Sequence, residues 1–206
     1  MFGDIESKGQ NQLVELGTLL RKPASNGFFA KRKDYVEDGN VGVLGVVNVV
    51  NRMYSGIDDL PRTNASESDI NKYSLSYGDM LFCRSSLVLE GIGKASVVPP
   101  NIGENTLFEC HVIRLPLDTD ICVPEFLQVQ SSMPAFRKQM MAKAKTATMT
   151  TIDQKSILGA KVFLPPIEQQ KAFLAFIKQV DKSKAATPSQ TQIASDNRLP
   201  DEWRRS

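Results

Sequence analysis

Reactive side chains are scarce in these 206 residues: one histidine, His111, three cysteines and one tryptophan. Cys83, Cys110 and Cys122 are an odd, sparse set, which excludes a disulfide scaffold, and they form none of the short pairs that a zinc site needs. A Cys/His dyad joining His111 to Cys83 or Cys122 stays open as an alternative, a small hydrolase. The sequence offers it no evident residue to orient the base. Cys110 precedes His111 on an expected strand and would face the opposite way. Gly91-Ile-Gly-Lys94 is too short for a phosphate-cradling loop and lacks the Lys-Ser/Thr pair that such a loop uses. The longest apolar run, residues 41–50, falls far short of the roughly 20 residues of a membrane helix. Met1-Phe-Gly-Asp-Ile-Glu6 lacks the basic region and apolar core of a signal peptide. Charge of one sign is missing too, with 25 basic and 23 acidic side chains leaving a net +2. These absences point to a recognition or binding role in a reducing cytoplasm, with no catalytic residues, metal or membrane contact of the chain's own.

What is present reads as an α+β domain. Residues 13–20 form a short apolar stretch, broken by Pro23-Ala-Ser-Asn-Gly27. Val41-Gly-Val-Leu-Gly-Val-Val-Asn-Val-Val50 reads as one buried strand, or as two short ones divided by Gly45. After a polar loop, Ser66-Glu-Ser-Asp69 has the spacing of a capping box and opens a short helix towards Tyr73. Strands are expected at 80–83, at 93–98 and at 107–115, the last making His111 a sheet residue. Pro124 opens a helix to about Ser132, and Pro134 separates it from a second helical stretch at 135–145. Thr150 or Thr151 caps a further short helix to about Leu158. A brief strand ends at Pro165-Pro166, and the next helix carries Phe173, Phe176, Ile177 and Val180 on one face. Beyond Lys184 the composition is that of a linker, and the end, with Trp203, reads as frayed.

Three passages in this order resemble the DNA-specificity (S) subunits of type I restriction-modification systems. They are Val14-Glu-Leu-Gly-Thr-Leu-Leu20; Tyr73-Ser-Leu-Ser-Tyr-Gly-Asp-Met-Leu-Phe82 with Arg84-Ser-Ser and Gly91-Ile-Gly-Lys94 after it; and Thr148-Met-Thr-Thr-Ile152 followed by Leu164-Pro-Pro-Ile-Glu-Gln-Gln170. The leader Met1-Phe-Gly-Asp4 is similar to the family's segment after a spacer helix. The resemblance implies a leader at 1–12 and a target recognition domain at 13–164, with a mixed, barrel-like sheet and small helices. A spacer helix at 165–184 and a flexible tail at 185–206 would follow. It further implies a non-catalytic subunit that reads one half of a split double-stranded DNA target and holds methyltransferase (M) subunits, and through them the restriction (R) subunit. S-adenosylmethionine, ATP and magnesium would belong to those partners. A whole subunit has two such units, so this chain is about half of one, to be completed by a second recognition domain or a homodimer. The family's long spacer is not matched here. At seven-residue spacing Ile167 and Leu174 lead to Asp181, and Ile177 leads to Lys184, so an apolar seam ends early.

The charges show where DNA would sit. Residues 131–163 hold six cations, Arg137, Lys138, Lys143, Lys145, Lys155 and Lys161, against Asp153 alone. Local excess of this kind is what phosphate binding requires. Arg137, Lys138, Lys143 and Lys145, with the hydroxyls of Thr148 and Thr150, are the phosphate-binding candidates. Base reading needs forked or amide side chains on loops, which points to Lys31, Arg32, Lys33, Arg52, Tyr54, Arg84 and Lys94. The competing expectation is a protein-interaction module docking a partner through Phe173, Phe176, Ile177 and Val180.

Overall fold

The computed structural model describes the chain from residue 13 to residue 186. The expected leader, most of the tail and Trp203 lie outside the described residues. Residues up to Lys171 make one compact unit and a second begins at Ala172.

The first unit holds twelve short strands among its described residues, spread over four small sheets. β1 (Leu13–Glu15) runs into a 3-10 turn, and β2 (Ser25–Asn26) follows. β3 is Val41–Leu44, α1 Val46–Val49, β4 Arg62–Thr63 and α2 Glu67–Tyr73. β5 (Asp79–Cys83), β6 (Ser85–Ser86), β7 (Ala95–Val97), β8 (Thr106–Phe108) and β9 (Val112–Pro116) make the middle of the domain. α3 (Pro124–Ser132) and α4 (Pro134–Lys143) lead to β10 (Lys145–Thr146), β11 (Thr150–Thr151), α5 (Gln154–Leu158), β12 (Lys161–Phe163) and α6 (Ile167–Ala186).

The largest sheet has the order β2-β9-β5-β7, antiparallel throughout. All five residues of β5 are buried, and Leu81, Phe82, Val112, Ile113 and Leu115 are fully enclosed. Each such side chain contributes about 1.5–3 kcal/mol by leaving water, so this pair of strands anchors the core. The sheet β4-β3-β8 is mixed, β3 running antiparallel to β4 and parallel to β8. None of the four sheets closes into a barrel; the mixed α+β character holds and the barrel-like closure does not. β12 pairs with β1 on one edge. On the chain's own amide side chains, Gln130 and Gln139 bond both backbone groups of Phe163 and Lys161 respectively. Those glutamines act as a substitute strand and cover an edge that would otherwise be open to pairing.

Local signals explain several elements. Ser66 Oγ caps the start of α2 by accepting from the Asp69 N–H at 3.2 Å, and its hydroxyl donates to the Asp69 carboxylate at 2.6 Å. Pro124 and Pro134 occupy first helical turns, where a missing N–H costs nothing. Gly78, at φ +92°, turns the chain into β5, and Asp79 accepts from Arg21 at 2.9 Å and from the Ser76 N–H at 3.1 Å.

Three expectations are corrected. Residues 41–50 are a strand followed by a helical turn, because the Gly45 N–H bonds to Asn48 Oδ1 and the Val46 N–H bonds to Glu109 Oε1 at 2.9 Å. Residues 107–115 are two strands parted by a turn at 109–111, which leaves His111 exposed on that turn. The helix after the threonines is capped by Asp153, whose carboxylate accepts the Ser156 N–H at 2.8 Å, while Thr150 and Thr151 form a strand.

Candidate nucleic-acid interface

The threonine run folds back as a hairpin. β10 pairs with β11 through Lys145↔Thr151 and Thr146↔Thr150. β11 in turn pairs with β6 through Thr150↔Ser86 and Thr151↔Ser85. The Ile152 N–H adds a bond to the Arg84 carbonyl at 3.0 Å. Two segments more than 60 residues apart in sequence therefore become one surface. It carries Lys145, Thr146 and Thr148 exposed on one side and the loop after Ser86 on the other.

Beside this sheet lies a cleft of about 640 Å³ lined in part by Asn51, Arg52, Glu90, Lys94, Gln128 and Arg137. Three cations face one acid, so the cleft favours an anionic occupant. Lys94 Nζ donates to Asn51 Oδ1 at 2.6 Å, with Asn51 in the left-handed region at φ +59°. Arg137 reaches from α4 to donate to the Glu90 carbonyl at 2.9 Å and the Ile92 carbonyl at 2.6 Å. Partial burial lowers its pKa from the usual arginine value. Gly93, at φ +64°, lies so close to Met140 that a Cβ there would sit 2.7 Å from its Cγ. The loop therefore packs against α4 without a side chain between them.

The structure separates the candidates by what their polar groups already do. Arg52 and Lys94 line the cleft, and Arg52 is exposed. Lys138, Lys143, Lys145 and Thr148 are exposed on α4 and the hairpin. Thr150 is only 3% exposed, its hydroxyl 3.0 Å from that of Thr146, so it is withdrawn from the surface. Arg84 is held back as well, its guanidinium donating to the Cys110 carbonyl at 3.1 Å. Tyr54 donates its hydroxyl to Glu125 at 2.8 Å, and Tyr77 donates to the same carboxylate at 3.1 Å. Burial, with the Glu125 hydrogen bond next, raises the Tyr54 phenol far above its usual range. Lys31, Arg32 and Lys33 stand exposed in and beside a 3-10 turn, where the Lys31 N–H bonds to Asp34 Oδ2. They are not among the residues that line the cleft.

Gln128 was not among the sequence candidates. Its amide Nε2 donates to the Arg52 carbonyl at 2.9 Å and to the Ala95 carbonyl at 3.3 Å, tying the Arg52 loop to α3 and β7. The signal for it was present: Gln128, Ser131 and Ser132, at i, i+3 and i+4, give α3 one polar face.

A thiol nucleophile finds no support. Cys83 and Cys122 are buried, and burial pushes their thiols up to about 11 and about 12. Cys110 is half-buried and raised too, again mainly by burial. Among the described residues no group of three His, Cys, Asp or Glu is placed to hold a metal ion, and no helix is long and apolar enough to cross a membrane. On α6, Phe173, Ile177 and Val180 are half-buried and Phe176 is 59% exposed.

No protein-family model matches the chain. It is 31% identical over 124 residues to the specificity subunit of the type I restriction enzyme EcoKI of Escherichia coli K12, covering 60% of this chain and 26% of that protein. Its fold is similar to the S subunit of a type I restriction-modification system from M. genitalium, with a TM-score of 0.54 at 12% identity over 82% of this chain and 38% of that one. It is similar also to the HsdS subunit from Thermoanaerobacter tengcongensis, with a TM-score of 0.57 at 18% identity over 84% and 38%. The chain thus shares both sequence and fold with type I specificity subunits, and spans about a quarter of the curated relative.

Proposed function

We propose that this chain is one recognition half of a type I specificity subunit, a non-catalytic reader of one part of a split double-stranded DNA target in the cytoplasm. The observation that carries this reading is the surface formed by β10, β11, β6 and the adjoining cleft. The cleft is lined by Arg52, Lys94 and Arg137 with Glu90 the one acid, and Lys143 and Lys145 stand exposed at the end of α4 and on β10. Lysines there neutralise phosphates and set the register of the protein on the duplex, while Arg52 supplies a fork suited to the O6 and N7 edge of guanine. Methyltransferase subunits dock on the helical part, with Phe173, Phe176, Ile177 and Val180 as the contact face, and bring S-adenosylmethionine. The restriction subunit joins through them and brings ATP and magnesium. A second recognition domain, or a second copy of this chain, supplies the other half of the target.

Co-expression tests this directly. The chain is produced with a type I methyltransferase subunit that co-purifies with it, and methylated bases are mapped across the host genome. A split motif appears only when the chain is present, and grafting residues 13–164 from a relative changes one half of that motif. Methylation that is independent of the chain, or unchanged by the graft, overturns the proposal. A plain protein-docking module, by contrast, would show no salt-sensitive affinity for DNA.

A further inference from the structure

Leu87, Val88 and Leu89 are 84%, 58% and 41% exposed, three aliphatic side chains in a row facing water. Single exposed apolar residues are ordinary, but a consecutive run contradicts the polar patterning of loops. This loop is held in shape from several sides. The Val88 N–H bonds to Ser86 Oγ, the Gly91 N–H to the Val88 carbonyl and the Ile92 N–H to the Leu89 carbonyl, each at 3.2 Å. β6 fixes one end in a sheet, and the Gly93 N–H bonds to the Cys83 carbonyl at 2.9 Å at the other. Arg137 clamps the Glu90 and Ile92 carbonyls from α4. A frayed tip has no such ties; this loop is preorganised to present apolar surface.

Its surroundings say what it is presented to. The cleft beside it carries Arg52, Lys94 and Arg137 against Glu90. Met149, 36% exposed, lies in the bend just before β11, next to the Thr150↔Ser86 pair, with Lys145 on β10 beyond. An apolar knob within a cationic rim complements a duplex, whose stacked bases lie inside a band of phosphates. We propose that Leu87, Val88 and Leu89 form a wedge that enters a base step of the bound DNA, unstacks it and bends the duplex. This rests on the reading of the chain as a DNA recognition subunit. Leu87, the most exposed, leads the insertion, and steps that unstack cheaply, pyrimidine followed by purine, are preferred beneath it. The wedge adds selectivity at a position where no hydrogen bond reads a base.

The experiment uses the full chain and a duplex enriched by it from a random-sequence pool, labelled at both ends for energy transfer. The double variant Leu87→Ser, Val88→Ser is compared with the parent. Both side chains are exposed, so the thermal midpoint stays within the scatter expected of surface substitutions. The expected result is loss of the bend and about tenfold weaker binding, with the salt slope unchanged because no phosphate contact is lost. Unchanged bending and affinity overturn the wedge, and if methyltransferase capture then falls, the loop is a protein-docking knob instead. Failure of the parent chain to enrich any duplex overturns the recognition reading itself, and the wedge with it.

Discussion

Arg137 was a phosphate candidate on charge alone, and its replacement distinguishes a DNA ligand from a loop clamp. One terminal nitrogen donates to the Glu90 and Ile92 carbonyls, the second of these partly buried. A hydrogen bond from a charged donor contributes about 1.5–3 kcal/mol, and a buried acceptor left unpaired costs about 1–3 kcal/mol. The two bonds share a nitrogen and the Glu90 carbonyl can rehydrate, so Arg137→Ala is expected to cost about 2–3 kcal/mol. For a chain of this size that lowers the thermal midpoint by about 4–12 °C. Hydrogen exchange should quicken at the amides of Gly91, Ile92 and Gly93. Arg137→Lys keeps the charge but replaces a planar fork by a single point donor, and recovers only part of the stability. The assay is thermal unfolding with peptide-resolved exchange, run beside DNA titrations at several salt concentrations. An unchanged midpoint in Arg137→Ala, with a salt slope shallower by about one, would refute the clamp and make Arg137 a phosphate ligand.

Gln170 is fully buried, accepting from the Val123 N–H at 2.8 Å and donating to the Ile121 and Pro165 carbonyls at 3.2 and 2.8 Å. Gln170→Leu leaves these backbone groups unpaired and is expected to cost about 3 kcal/mol in denaturant unfolding; a loss below about 1 kcal/mol would contradict that assignment. With their thiols pushed up to about 11 and about 12, Cys83 and Cys122 resist iodoacetamide at pH 8 in the folded protein, and mass spectrometry showing modification at the rate of a free cysteine would contradict their burial. Burial raises the Asp79 carboxyl above its ordinary value even though Arg21 and Arg114 oppose the rise. The folded state then holds that proton more tightly than the unfolded chain, so its contribution is full below the unfolded pKa of about 3.9 and is lost as pH rises through the native value. The stability difference between wild type and Asp79→Asn, followed by unfolding at stepped pH, carries that slope; the opposite slope refutes it.

How much could be seen in the sequence depended on where each residue's partner lies. The cap at Ser66 and the helix start at Pro124 are local, and the structure shows them as expected, while Pro134 opens the second helix rather than merely separating the two. The helical turn after Gly45 was invisible because Glu109, which accepts the Val46 N–H, is 63 residues away. Thr150 and Thr151 cap well in isolation, but β6 recruits them into a sheet. The site shows the same division. Clustered charge between residues 131 and 163 was legible as a basic stretch, yet charge does not reveal commitment. Arg84 and Tyr54 as base readers, and Arg137 as a phosphate ligand, look free in sequence, and the structure has each bonded within the protein. The exposure of Leu87, Val88 and Leu89 carries no signal in the sequence, since it depends on how the folded chain presents that loop.

The affinity of the purified chain for duplex DNA across a salt series tests the DNA-reading claim most directly. If Lys94, Lys138, Lys143 and Lys145 each neutralise a phosphate while Arg52 reads a base, log K falls against log salt with a slope of about −3.6. A response flat in salt would contradict it.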